Sequence, residues 1–285
     1  DKSCPRGRHD CNEHRGAVLM LGIGMGLARP SPSGSRGPSY DPAAKALFAR
    51  MAVQPDATRK GRYDTLIKAL KAAGIWSKLD CLYVMAAHDA QAARLNIVRD
   101  GYNLTAVNSP AFAANRGYEG DGAGAYLMTG FNPHLTPSAF TASACHMGAW
   151  NLTTVNYAAA SAAFGGTASS NATRMYARNS SGLDCQFNNG LRLYPAIADS
   201  FGYSVGSVTP DGLVGAFRNG GLVGSASGGN GVVPNEPFVV LRSAGSNYSR
   251  LQLATWHIGG GLTSQQVADL HTIQRNYLQS VGAVS

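Results

Sequence analysis

Glutamate is nearly missing from this sequence. Glu13, Glu119 and Glu236 are its three glutamates in 285 residues, and charged side chains make up 14% of the chain. A polysaccharide-cleaving sandwich needs two carboxylates that face one groove, roughly 5 to 10 Å apart. The main body offers one such pair, Glu119 and Asp121, inside the run Tyr118-Glu-Gly-Asp-Gly, while Glu236 stands between Pro234 and Pro237. Glycines on both sides of Asp121 make that run a turn before anything else. Long apolar runs are missing too. Residues 17–28 are the best candidate, but Gly22, Gly24 and Gly26 punctuate them, and they fall short of the roughly 18 to 20 residues of a spanning helix. Membrane insertion is therefore not expected. Cysteine is sparse and odd in number, with Cys4, Cys11, Cys81, Cys145 and Cys185. That set is no disulfide framework, and it fits assembly in a reducing cytoplasm.

Glycine, by contrast, is abundant: 35 Gly and 13 Pro stand beside a hydrophobic share of 44%. This composition describes a turn-rich globular chain and excludes disorder throughout. The net charge of +8 is unevenly spread, because residues 1–100 hold 16 basic and 9 acidic side chains and residues 101–285 hold 8 and 7. A nearly neutral main body argues against a groove that tracks nucleic-acid phosphates. Residues 1–28 imitate a secretory leader, although Leu27-Ala28-Arg29-Pro30 is a poor cleavage site. The sequons at Asn103, Asn151, Asn171, Asn179 and Asn247 are read as chance matches in a chain rich in Ser, Thr and Asn.

Three regions differ in texture. Residues 1–39 form a basic, glycine-rich arm that ends in the linker-like run Pro30-Ser-Pro-Ser-Gly-Ser-Arg-Gly-Pro38. Residues 40–78 read as a helical hairpin: Asp41 caps a helix over 42–51, Pro55-Asp56 opens a second that runs to about Ala73, and Gly74 stops it. Tyr63, Leu66, Ile67 and Leu70 make one apolar stripe on the second helix. From residue 79 onward the pattern changes to short strands separated by turns. They are expected over 81–86, 125–129, 140–150, 174–178, 183–187, 203–208, 213–218, 238–241 and 251–258, with a two-residue hairpin at Asn219-Gly220. Helix returns at the end, where Thr263 or Ser264 caps residues 265–279 and turns Val267, Leu270 and Ile273 inward.

Two stretches carry a more specific likeness. The first is the order Leu213-Val-Gly-Ala-Phe-Arg-Asn-Gly-Gly-Leu-Val-Gly, Pro237-Phe-Val-Val-Leu-Arg-Ser, then Leu251-Gln-Leu-Ala-Thr-Trp-His-Ile-Gly-Gly-Gly-Leu-Thr-Ser-Gln-Gln-Val-Ala-Asp-Leu. It resembles the closing half of a laminin-G or concanavalin A-like sandwich. The second, Leu79-Asp-Cys-Leu-Tyr-Val-Met-Ala-Ala-His-Asp with Arg116-Gly-Tyr-Glu-Gly-Asp-Gly-Ala-Gly-Ala-Tyr-Leu-Met-Thr, resembles the opening half as it occurs in tailed-phage and prophage structural proteins. The resemblance covers roughly residues 41–285. It implies a mainly β, jelly-roll sandwich over 79–285 in a virion protein assembled in a bacterial cytoplasm. Residues 1–78 would then contact other virion subunits, the chain would form homo-oligomers, and the sandwich would face a host surface glycan.

Several residues invite chemical readings. Gly202-Tyr-Ser-Val-Gly206 matches the nucleophile elbow of serine hydrolases, with Asp211 and His257 or His271 following in order. The elbow needs a helix directly after Ser204, however, and Pro210 and Gly212 forbid a long one. Cys4, His9, Cys11 and His14 are zinc-type ligands at irregular spacing, read as part of a solvated arm. Glu119 and Asp121 fall short of the six to eight oxygens of a calcium site. His88-Asp89 and His146 are read as hydrogen-bonded structural residues, and Leu21-Gly-Ile-Gly-Met-Gly lacks the strand-turn-helix setting of a dinucleotide loop. Trp150, Tyr157, Tyr176, Tyr194 and Tyr248 are the aromatic candidates for stacking on sugars. The expectation is thus a non-enzymatic structural or adhesive module without cofactor or metal, with a glycan-cleaving enzyme or a secreted lectin as alternatives.

Overall fold

A computed structural model of the chain describes residues 39–135, 137–154, 163–166, 173–188, 190–228, 231–243, 245 and 247–285. Cys4, His9, Cys11, His14, residues 17–28, the linker before residue 39, Tyr157 and Asn171 lie outside them. In chain order the elements are α1 (Pro42–Ala49), α2 (Ala57–Ala72), β1 (Leu79–Val84), β2 (Thr105–Val107), β3 (Ala111–Ala113), β4 (Gly117–Glu119), β5 (Tyr126–Met128), β6 (Cys145–Asn151) and β7 (Ala163–Gly166). They continue with β8 (Arg174–Asn179), β9 (Gly182–Gln186), β10 (Arg192–Leu193), β11 (Gly202–Val208), β12 (Leu213–Arg218), β13 (Gly221–Ser227), β14 (Phe238–Val240), β15 (Arg242–Ser243), β16 (Asn247–Tyr248), β17 (Gln252–Gly259) and α3 (Ser264–Ser280).

The fold is mainly β, an antiparallel jelly-roll sandwich. One sheet runs β13-β12-β11-β6-β17-β4-β3, with β1 also pairing β17, the facing sheet runs β10-β9-β8-β7-β14-β5-β2, and β15 and β16 pair as a short ribbon of their own. Neighbours far apart in sequence, such as β6 between β11 and β17, mark crossovers between the two layers. The sheets meet tightly. A Cβ placed on Gly206 of β11 would lie 2.6 Å from the Phe187 ring, which follows β9 in the opposite sheet.

Local chemistry sets the element ends. The Asp41 carboxylate accepts the Ala43 N–H at 2.8 Å and Asp56 accepts that of Arg59 at 2.6 Å, so both helices of the hairpin carry an acidic N-cap. Thr263 caps α3 in a reciprocal box with Gln266. Asn219 and Gly220 both take positive φ between the paired residues Arg218 and Gly221, the signature of a two-residue hairpin that follows the sheet twist. The strand expected over 140–150 starts only at Cys145, because Thr141 and Ala144 close a turn through Thr141 N–H to Ala144 O at 2.9 Å. Tyr118 and Glu119, expected in a turn, form β4 against Leu253 and Gln252.

The helical hairpin shares its core with the sandwich. Tyr63, Leu66, Ile67 and Leu70 are buried, and the Tyr63 ring lies 5.3 Å from that of Tyr277 on α3. Arg59 of α2 reaches Ala86 O at 3.4 Å and the Tyr277 hydroxyl at 3.2 Å. The three described cysteines, Cys81, Cys145 and Cys185, are free and buried. Burial pushes the Cys81 and Cys185 thiols up to about 12, so both are inert apolar fillers. No described helix is long and apolar enough to cross a membrane.

Candidate functional site

The hydrolase constellation does not assemble. Ser204 lies in the middle of β11, where strand alternation sends it to the face opposite Tyr203, and its Oγ accepts from Arg218 Nη1 at 3.1 Å. His257 pairs instead with the Tyr203 hydroxyl at 2.8 Å, while Asp211 is exposed and bonded to the Thr209 hydroxyl. Asp121 closes a turn: its Oδ1 accepts the N–H groups of Ala123, Gly124 and Ala125 at 2.8, 2.8 and 2.9 Å. Those bonds hold its carboxyl down to about 2, so it stays ionised and is no proton donor at neutral pH. Asp89 caps the Gln91 and Ala92 N–H groups, and His88 meets Val53 O at 2.9 Å. The described residues contain no cluster of three or more His, Cys, Asp or Glu placed to hold a metal ion.

The aromatic candidates divide. Tyr176 is buried, its hydroxyl 3.3 Å from Ser243 Oγ and 3.4 Å from Asn247 Nδ2. Tyr248 and Tyr126 both lie against the Arg242 guanidinium, 5.3 and 4.9 Å from it. Tyr194 is exposed, but its hydroxyl is tied to Asn179 O and Arg192 lies over its ring. Trp150 is 4% exposed. It stacks under His271 of α3 with ring centroids 5.2 Å apart and planes 4° from parallel, which makes it the floor of a recess.

That recess leads to a residue the sequence did not flag. Phe201, 44% exposed, separates two shallow hollows that share its side chain and that of Asn219. One hollow of about 300 Å³ is lined by Trp150, Gly202, His271, Arg275, Val284 and Ser285. The other, of about 360 Å³, is lined by Ile197, Ala198, Asp199 and Arg218. Each lies at or near the low end of the usual range for ligand sites, and together they make one groove with an aromatic ring at its middle.

The ring is held from beneath. Arg218 Nη1 donates to Tyr203 O at 3.2 Å, and Nη2 donates to Asp199 O and Asp199 Oδ1, both at 3.3 Å, and to Phe201 O. Asp199 Oδ1 also accepts the Phe201 N–H at 2.9 Å. Burial pulls the Arg218 pKa below its ordinary value while the Asp199 carboxylate opposes that pull, so the arginine acts as a rivet for the 199–201 segment. Gly202 has φ +111°, and a Cβ there would stand 2.5 Å from Asn219 Oδ1, which accepts the Tyr203 N–H at 2.9 Å. Only glycine lets the chain turn from the loop into β11 at this point.

A larger hollow of about 430 Å³ lies where Leu213, Phe217 and Leu262 meet the start of α3. Several of its polar members are already engaged: Lys78 Nζ donates to Gly261 O at 2.8 Å, Ser207 Oγ donates to Leu262 O at 2.8 Å, and Thr209 bonds Asp211. The Phe201 groove combines an exposed ring with convergent polar groups and is the better candidate. Sequence reasoning missed Phe201 because it stands in an irregular stretch without periodicity, and it read Asn219 only as a turn residue.

No protein-family model and no curated protein matches the sequence. Solved structures do share the fold. The receptor-binding domain of botulinum neurotoxin D matches with a TM-score of 0.50 at 11% identity, over 70% of this chain and 53% of that one. A structure of botulinum neurotoxin type C, whose passage into cells depends on interaction with two ganglioside molecules, matches at 0.54 and 9% identity, over 70% and 52%. A mutant of Trypanosoma rangeli sialidase displaying trans-sialidase activity matches at 0.50 and 10% identity, over 76% and 39%. This chain thus spans about half the length of the neurotoxin structures it matches, and what it shares with all three is the sandwich fold.

Proposed function

We propose that the chain is a carbohydrate-binding adhesion module that holds a surface glycan without cleaving it. The observation that carries this reading is the exposed Phe201 ring set between two hollows lined by hydrogen-bonding side chains. A flat ring covers the apolar face of a sugar, and Asp199, Asn219 and Arg275 on either side supply partners for its hydroxyls. Fold neighbours with receptor-binding roles support it, as does the ganglioside dependence of neurotoxin type C. In its finer form, which rests on the sequence resemblance, the module decorates or tips a phage-type particle, with residues 1–78 on the particle side.

A glycan array probed with the full chain tests this reading. Binding to a defined set of oligosaccharides is expected, weakened roughly tenfold in Phe201→Ala with an unchanged melting curve. No binding to any glycan, or binding indifferent to Phe201→Ala, overturns it. Incubation with the bound glycans is expected to release no new reducing ends.

A further inference from the structure

The two hollows differ in the hydrogen-bonding capacity they leave free. On the α3 side, Asn219 Oδ1 is spent on the Tyr203 N–H, so its amide NH2 is the half of the side chain left for a ligand. Trp150 is nine-tenths buried and its Nε1–H is closed to solvent, so it supplies the floor of the hollow and not a hydrogen bond to a ligand. Arg275 is exposed and gives one described hydrogen bond, from Nη2 to Ser285 O at 3.3 Å. No aspartate or glutamate lines this hollow. His271 alone among its side chains has both a donor and an acceptor nitrogen, and its pKa is lowered by burial and by Arg275. The groups left for a ligand here are the Asn219 NH2, the Arg275 guanidinium, the His271 ring nitrogens and the Ser285 hydroxyl, so donors outnumber acceptors and one of them is a cation.

The far side of Phe201 is the reverse. Arg218 lines it, but that guanidinium is turned onto Tyr203 O, Ser204 Oγ, Phe201 O and Asp199. Asp199 Oδ1 is occupied as well, which leaves Oδ2 of a side chain 44% exposed as a free acceptor. An acceptor facing the groove suits sugar hydroxyls, which can donate.

From this asymmetry we propose that the groove binds an acidic oligosaccharide in one direction, its carboxylate-bearing sugar on the Trp150–Asn219–Arg275 side and a neutral sugar against Asp199. A carboxylate offers only acceptors and takes charge-assisted bonds from a guanidinium. The same group placed against Asp199 would meet a like charge, so the direction is fixed by repulsion as well as attraction. This inference rests on the glycan-binding reading of the same site.

Titration calorimetry with the full chain separates the two. The probes are digalacturonate against its methyl ester, and sialyllactose against lactose. At least one acid is expected to bind roughly tenfold or more tightly than its neutral counterpart. Arg275→Gln is expected to weaken the acid much more than its neutral counterpart and so to remove the preference, Arg275→Lys keeps part of it, and Asp199→Asn weakens the acid and its neutral counterpart by a similar factor. Equal binding of acid and ester, lost in Phe201→Ala, overturns the acidic preference and leaves the glycan reading standing. A preference for acids that survives Arg275→Gln overturns the assigned direction. Absence of binding to every probe and every array glycan overturns both.

Discussion

The hydroxyl of Tyr203 on β11 and Nε2 of His257 on β17 lie 2.8 Å apart beneath helix α3, in a place fully closed to solvent. Their bond ends a directed chain. Thr255 Oγ1 donates to Gln274 Oε1, Gln274 Nε2 donates to the Tyr203 oxygen at 3.2 Å, and Tyr203 in turn donates to His257. Burial keeps His257 neutral, and with Tyr203 as the donor its proton sits on Nδ1, which has no partner among the described residues. His146, with its ring centroid 5.1 Å away, is fixed as the same tautomer because its Nδ1 donates to Gly260 O. The network anchors α3 through Gln274, and α3 carries His271 and Arg275 to the groove.

Acid is expected to loosen this anchor. Burial lowers the His146 pKa to about 4 from its ordinary 6.5, and burial together with His146 lowers that of His257 well below the usual range. Above pH 6.5 both rings are neutral folded and unfolded, so they impose no pH dependence. As pH falls below 6.5 the unfolded chain takes up protons that the folded one refuses, and stability drops until the folded rings titrate too. At about 1.4 kcal/mol per pH unit of separation, His146 alone removes roughly 3 kcal/mol by pH 4. Urea midpoints measured from pH 7 to 4 should fall steadily, and His146→Asn should flatten the fall; a flat wild-type profile over that window contradicts the buried-neutral assignment.

Local physics made much of this fold readable in the sequence. Asp41, Asp56 and the Thr263–Gln266 box sit within three residues of the N–H groups they cap, and Asn219-Gly220 carries its own turn geometry. The three-residue strands β2 and β3 were not readable, since they exist only through pairing with β5 and β4. The groove was hidden for the same reason. Phe201, Asn219 and Arg275 come from separate parts of the chain, and Trp150, named from sequence as a sugar platform, became the floor under His271 only through docking of α3.

Tyr203→Phe tests the hydrogen-bond chain by subtraction. It keeps the ring that packs 5.5 Å from Trp150 but strands His257 Nε2 and Gln274 Nε2 in a buried site. Each orphaned group costs roughly 1 to 3 kcal/mol, so the melting temperature should fall by at least about 2 °C. A double-mutant cycle with His257→Phe should show coupling of roughly 0.5 kcal/mol or more; additive single effects would mean that the two side chains do not act together.

A second buried polar site makes a stronger demand. Asp184 on β9 is fully buried and takes a bidentate pair from Arg192, Nε to Oδ1 at 2.6 Å and Nη2 to Oδ2 at 2.5 Å, with Asn179 Nδ2 adding a third bond at 2.9 Å. Removing the cation leaves a carboxylate with one neutral donor in the interior. Arg192→Ala is expected to cost roughly 3 kcal/mol, while Arg192→Lys, which keeps the charge but loses the fork, should cost less. Equal unfolding curves for wild type and Arg192→Ala would show that Asp184 finds other partners.

Gly202→Ala separates the groove from the fold that carries it. The methyl group would meet Asn219 Oδ1, and the backbone holds φ +111°, a region that L side chains rarely adopt. Relief requires Asn219 to give up the Tyr203 N–H or the 199–202 segment to swing outward, and either movement displaces Phe201 from its place between the hollows. Strain of this kind costs of order 1 to 3 kcal/mol, a modest part of the stability expected of a core this size. The variant should therefore fold, with far-ultraviolet circular dichroism like the wild type, yet lose glycan affinity by roughly as much as Phe201→Ala. Full retention of affinity in a folded Gly202→Ala protein would place the binding surface elsewhere on the sandwich, because the hollow at Leu213, Phe217 and Leu262 does not depend on the turn at residue 202.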